Sequence, residues 1–249
     1  MVNALGKKLS WLFAEPEKDD LSSHAHRQLI GCVGLVLPLL LWLVAGLRPT
    51  AANVNSWELL GSISAYYYSP AVSAFSGSLV AMALFFFAYG GYDNEYGLRD
   101  RVAAIVAGVA ALLVAFFPAG APKVAQRPFW WTDPIGTIHY VAAVVLFCSF
   151  VFFCLWQFRR SNKNSEKWDR GKRVRNWIYI LCGVAIVLSL VGVVVASIAG
   201  KSIFLPEALA LEFFAISWLV KGRADKTVGN ALSAVRGKRG KGPGASQSS

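Results

Sequence analysis

The chain has 249 residues, 55% of them hydrophobic and 16% charged, with a mean hydropathy of +0.47. That is too apolar for an ordinary soluble domain of this length. A net charge of +11 invites a nucleic-acid reading, but the basic residues are segregated between apolar runs, which points to membrane topology instead.

Residues 2–13 place Leu5, Leu9 and Leu12 on one helical face with Trp11 and Phe13 nearby, which predicts a short amphipathic helix in the membrane interface. A charged stretch, Glu15–Asp20, follows as a loop. His24 and His26 come next, but residues at i and i+2 do not share a helix face, and no third ligand lies close in sequence. No metal or cofactor is expected.

Crossing the ~30 Å hydrocarbon core takes about 20 apolar residues in a helix. Six runs meet that need: 29–47, 71–90, 102–118, 135–158, 177–200 and 204–220. They are long and lack a period of two, so helices are expected rather than a barrel. The first reads as a signal anchor, and Pro38 near its middle is expected to kink it. Allotting the basic residues to alternating sides puts 21 of the 25 on one side and leaves only Arg48, Lys123, Arg127 and Lys201 on the other. The positive-inside rule then puts both termini in the cytoplasm. The four cysteines (Cys32, Cys148, Cys154, Cys182) all fall inside runs, and no CxxC occurs, so no disulfide is expected.

The stretch WELLGSISAYYYSPA (57–71), set before the second run, is the least ordinary part of the chain. Ser56 with Trp57–Leu60 looks like a capped helical start ended by Gly61. Tyr66, Tyr67 and Tyr68 suit an interfacial aromatic belt, yet three consecutive rings point three ways round a helix. At least one must face protein. Small residues at a spacing of four mark close-approach faces in run 2 (Ser73, Gly77, Ala81), run 3 (Ala103, Ala107, Ala111) and run 5 (Gly192, Ala196, Gly200). Runs 2, 3 and 5 are therefore expected at the centre of the bundle. The loop 159–175 is strongly basic and suits anionic headgroups, while the Gly-, Ser-, Lys- and Arg-rich end after Lys221 is expected to be disordered.

Polar groups in or against a membrane mark sites by default. Here they are Ser62, Ser64, the three tyrosines, His139, Glu207 and Glu212, all assigned to the outer half. Glu207, beside Pro206 in a first helical turn, is accounted for by the helix dipole, and Asp133 before Pro134 by an N-cap. Glu212 lies about 7–8 Å deeper with no cap to explain it, so Ser76, Ser78 or Ser189 is expected as its partner. Glu207 and Glu212 are roughly 140° apart around their helix and do not enter one pocket together. A serine nucleophile with His139 and a carboxylate can be drawn, but no nucleophile-elbow signature accompanies it. One span histidine also falls short of a bis-histidine haem or a three-histidine zinc site.

The segments IGCVGLVLPLLL, GSISAYYYSP, FSGSLVAMALFFFAYGGYDNE and EFFAISWLVKG together resemble a family of bacterial polytopic membrane proteins without an established activity, over most of residues 27–222. That resemblance implies about six helices and no catalytic residues. The chain is more loosely similar to Frag/DRAM-type six-helix proteins, which assist lipid or anchor metabolism. Intramembrane ceramidase-like hydrolases are similar in size, but they have seven helices and several late histidines, and this chain departs on both counts.

The expected architecture is all-α: a six-helix bundle in a bacterial inner membrane, with an N-terminal cytoplasmic segment (1–26), a transmembrane domain (27–222) and a basic tail (223–249). The expected function is binding or transport-like: a small amphiphile or lipid is held at an outward-facing pocket of Ser62, Ser64, Tyr66–Tyr68, His139, Glu207 and Glu212, with Glu212 holding a polar group. Membrane lipids, a membrane-protein partner or a second copy are the expected partners, without nucleic acid. A non-catalytic accessory subunit is the alternative, and an intramembrane hydrolase the third.

Overall fold

The computed structural model describes residues 20–47, 57–89, 97–121, 128–160 and 170–223. The interfacial helix, the Ser56 cap and the basic tail lie outside these residues, as does most of the 159–175 loop. Six α-helices and no strand occur among the described residues: α1 (Asp20–Leu47), α2 (Val72–Ala88), α3 (Gly97–Phe116), α4 (Asp133–Phe152), α5 (Arg170–Ile198) and α6 (Phe204–Lys221). A 3-10 turn, Ser64–Tyr68, precedes α2, and a π-helical turn, Phe153–Gln157, continues α4. Three helical stretches are long and apolar enough to cross a membrane, His24–Leu47, Asp133–Gln157 and Gly171–Ile198, while Val72–Ala88 is apolar but shorter. Several apolar helices of this kind make the chain a membrane protein in type.

The elements fall close to the apolar runs. Gly200, at φ +64°, closes α5 in the left-handed region that only glycine enters without strain. The α4 cap differs from expectation by one residue: Thr132 is extended (φ −134°, ψ 160°) and takes the N-cap, leaving Asp133 and Pro134 inside the first turn. Trp57–Leu60 forms a turn, not a helix. The turn is held from α1, where Trp42 Nε1 donates to the Trp57 carbonyl at 2.8 Å and the two indoles meet edge to face at 5.1 Å.

Helices adjacent in sequence pack side by side, and α6 returns to α1, so the six form a closed ring in chain order. The close approach of α1 to α6 depends on glycine. A Cβ on Gly31 would lie 2.7 Å from Leu219 Cγ and 3.0 Å from the Ala215 carbonyl oxygen. The ring is filled by aromatic side chains. Phe150 and Phe214 stack at 3.5 Å between centroids, and Trp218 meets Phe86, Phe153 and Phe158 within 5.7 Å. In a bilayer, where burial from water drives little, such dispersion contacts carry the association.

Two expectations about the centre are corrected. Run 3 does bury its small face, with Ala104, Ala107, Gly108 and Ala111 covered. The Ser73–Gly77 face of α2 points outward, and a Cβ on Gly77 would meet nothing within 4 Å. The opposite face, Phe75, Leu79, Met82 and Phe86, is the one that fills the ring. The α5 helix is peripheral, touching α6 through Gly192 and Pro206 but exposing Val184, Leu188, Val191 and Val195. It is α6 that turns bulky side chains inward, burying Leu211, Phe214 and Trp218. Small residues permit close approach; bulky residues at the same period decide which face turns inward when both compete.

Candidate functional site

At the ring end formed by the 61–69 segment, three connections lock together into a cap. The first is the 3-10 turn. Ser62 Oγ accepts the Ala65 N–H at 3.0 Å, and Ser69 Oγ donates to the Tyr66 carbonyl at 2.8 Å, so both serines serve the turn itself. The second is the α5–α6 connection. Ile203 N and Ser202 Oγ both donate to the Gly61 carbonyl, at 2.8 and 3.2 Å, and the Glu207 carboxylate accepts the Ile63 N–H at 2.7 Å.

The third connection, after α3, is held residue by residue. His139 binds the Phe117 carbonyl at 2.6 Å, Trp131 Nε1 donates to the Pro118 carbonyl at 3.1 Å and Tyr68 Oη donates to the Ala119 carbonyl at 2.6 Å. Tyr140 Oη then accepts the Gly120 N–H at 3.1 Å. Four consecutive backbone groups are satisfied by side chains from other elements, as a loop lacking its own ladder requires.

His139 also reaches Ser64, whose Oγ lies 2.9 Å from Nε2. A carbonyl oxygen only accepts, so the bond to Phe117 puts the proton on Nδ1. Nε2 therefore presents a lone pair, and Ser64 donates to it. The imidazole is 2% exposed and fixed at both nitrogens.

Beneath this pair lies a partly open cavity of about 50 Å³. Its walls come from α1 (Leu37), α2 (Phe75, Leu79, Met82), α3 (Val114), α4 (Leu146, Phe150) and α6 (Leu211). The polar side chains on it are Ser64 and Glu207. Among the described residues no cluster of three His, Cys, Asp or Glu side chains gathers to hold a metal ion.

The eight residues singled out from sequence thus divide. Ser64 meets His139, and Ser64 and Glu207 share the cavity wall, whereas Ser62 caps its turn. Tyr66 is fully buried against Phe204 at 5.8 Å, its hydroxyl without a hydrogen bond of good geometry. That burial raises its phenol above the ordinary range, and the Leu60 backbone offsets only part of the effect. Tyr67 packs edge-on against Tyr68 and Phe75, and Tyr68 pins Ala119.

Glu212 lies apart from this cavity. It is absent from the cavity wall, and Ser76, one of its expected partners, donates instead to the Ala115 carbonyl at 3.2 Å. The reason is the 140° between the two glutamates: with Leu211, Phe214 and Trp218 turned inward, Glu207 faces the ring and Glu212 lies toward its edge. Sequence reasoning had no signal for Phe117, whose backbone carbonyl orients the imidazole. Trp131 and Tyr140 were readable as interfacial aromatics but not as clamps.

No curated protein and no solved structure matches the chain. Residues 32–222 match the family described as "Protein of unknown function (DUF998)", and the chain belongs to that family.

Proposed function

We propose that this is a multi-pass protein of a bacterial inner membrane whose cap-end cavity receives part of a small amphiphile or lipid. All six helices span in this reading, both termini are cytoplasmic, and the cap faces outward. The distribution of basic residues supports that orientation. The shorter helices α2 and α6, of 17 and 18 residues, extend about 25–27 Å, enough for the hydrocarbon core once flanking residues snorkel.

The observation that carries the reading is the cavity itself: an apolar space at the centre of the ring with Ser64 and Glu207 on its wall. A pocket lined by apolar groups with a few convergent polar ones is the usual form of a ligand site. The polar pair would hold a hydrogen-bonding group, while Leu37, Leu79 and Met82 receive an apolar end. Ala143 and Phe147, partly exposed lining residues on α4, mark the side from which a bilayer ligand enters, where α4 touches α6 only sparsely.

Protein extracted with its native lipid tests this by mass spectrometry of bound amphiphiles. The wild type is expected to retain a defined species, Leu79→Phe to lose it by filling the cavity, and Glu212→Gln to retain it. A wild type carrying no defined species, or a Leu79→Phe variant carrying the same one, would overturn the reading. A second reading, an accessory subunit, is favoured by the apolar outer face of α5. It requires copurification with a partner at fixed stoichiometry.

A further inference from the structure

We propose that Ser64 and His139 are a nucleophile and its general base, and that the cavity beside them takes the acyl group of a two- or three-carbon ester. This rests on the binding reading above and adds a reaction to it. Ser64 Oγ–H points at His139 Nε2 across 2.9 Å, within the reach that proton transfer needs. Nε2 is the unprotonated nitrogen because Nδ1–H is tied to the Phe117 carbonyl at 2.6 Å, the tautomer a base requires. In the serine triads that orienting role falls to a carboxylate, which also stabilises the imidazolium; a backbone carbonyl orients the ring with a partial charge only.

The geometry also puts the reacting atom at a boundary. Ser64 lies on the wall of the cavity, and His139 stands behind it. In the first step Ser64 Oγ bonds to the carbonyl carbon of the ester while its proton passes to His139 Nε2. The carbon–alkoxy bond then breaks, and the leaving oxygen takes that proton, releasing an alcohol and an acyl-Ser64. Water next adds to the acyl carbon as His139 takes its proton. The carbon–Oγ bond breaks, the proton returns to Oγ, and a carboxylic acid leaves. The only co-reactant is water, and Ser64 and Glu207 give a water in this cavity its polar partners.

Size selects the substrate. An apolar cavity of about 150 Å³ admits benzene, whereas this one is about 50 Å³ and is walled by Leu79, Met82, Leu146 and Phe150. It accepts an acetyl or propionyl group and excludes a fatty-acyl chain. The alcohol portion then lies toward α4, so the substrate class is an amphiphile bearing a short acyl ester.

The test uses the full chain in native-lipid discs with a fluorophosphonate probe, 4-nitrophenyl acetate and 4-nitrophenyl octanoate. The expected results are a phosphonyl adduct on the Ser64 peptide and hydrolysis of acetate at least about tenfold faster than octanoate. His139→Gln should slow the acetate reaction by about 100-fold or more, the scale of lost general-base catalysis. Ser73→Ala, on the outward face of α2, should still be labelled on Ser64. Because the wild-type adduct is mapped directly, a Ser64→Ala variant that fails to fold does not affect the result.

Absence of the adduct from protein that still carries its amphiphile would overturn the ester chemistry and leave the binding reading standing. Absence of both would overturn the two together. An adduct with octanoate turned over as fast as acetate would overturn the short-acyl assignment.

Discussion

Tyr66 is fully buried and its hydroxyl has no hydrogen bond of good geometry, so its phenol costs free energy that a phenylalanine would not. Tyr66→Phe is therefore expected to leave thermal stability unchanged or to raise it by about 1 kcal/mol. The sign of the pH effect follows from the upward shift. Stability is full below the unfolded-state value of about 10 and falls as pH rises from there through the higher folded value. Melting curves between neutral pH and pH 11 should show that alkaline loss reduced in Tyr66→Phe; an identical loss in both proteins would refute it. At this scale the site was half legible. A carboxylate in a hydrophobic run draws attention, and depth alone favoured Glu212 over Glu207. What depth does not reveal is which way the helix is turned, and that rotation is set by Phe214 and Trp218 meeting rings from α2 and α4. The Ser64–His139 pair was drawable from residue types, but its 75-residue separation closes only once Phe117 orients the imidazole.

Runs of apolar residues located all six helices to within a few residues at most ends, because length and composition are local properties. Their neighbours are not local, and this is where small-residue spacing misled. Gly31, in α1, touches α6 without belonging to any of the stripes singled out, whereas Gly77, within such a stripe, touches nothing. The contrast is testable. Gly31→Leu forces side-chain atoms into Leu219 and the Ala215 carbonyl and should cost about 1–3 kcal/mol or more, the scale of overpacking. Gly77→Leu should be neutral within about 0.5 kcal/mol, since its Cβ enters open space. Thermal unfolding of the two variants in the same detergent checks this, and equal destabilisation would mean that the α2 face is covered in the native assembly. The π-helical turn at Phe153–Gln157 belongs to the same class of hidden feature. It leaves Gln157 buried with neither amide atom hydrogen-bonded, and no sequence pattern announced it.

Taken whole, the molecule is a ring of helices in chain order, sealed at one end by three interlocked connections and filled by aromatic rings. The ring closes where Gln28 Nε2 donates to the Gly222 carbonyl at 2.7 Å, joining the first and last helices. Two residues 194 apart in sequence are therefore neighbours in space. It follows that the order in which the helices are synthesised is separable from the order in which they pack. Linking residue 223 to residue 20 by a flexible segment and cutting instead within 161–169 would start the chain at α5 and end it at α4. If the ring and its cap are specified by side-chain contacts alone, the permuted protein should retain the wild-type melting temperature to within a few degrees. It would then become a chain whose beginning and end can be moved without moving its site.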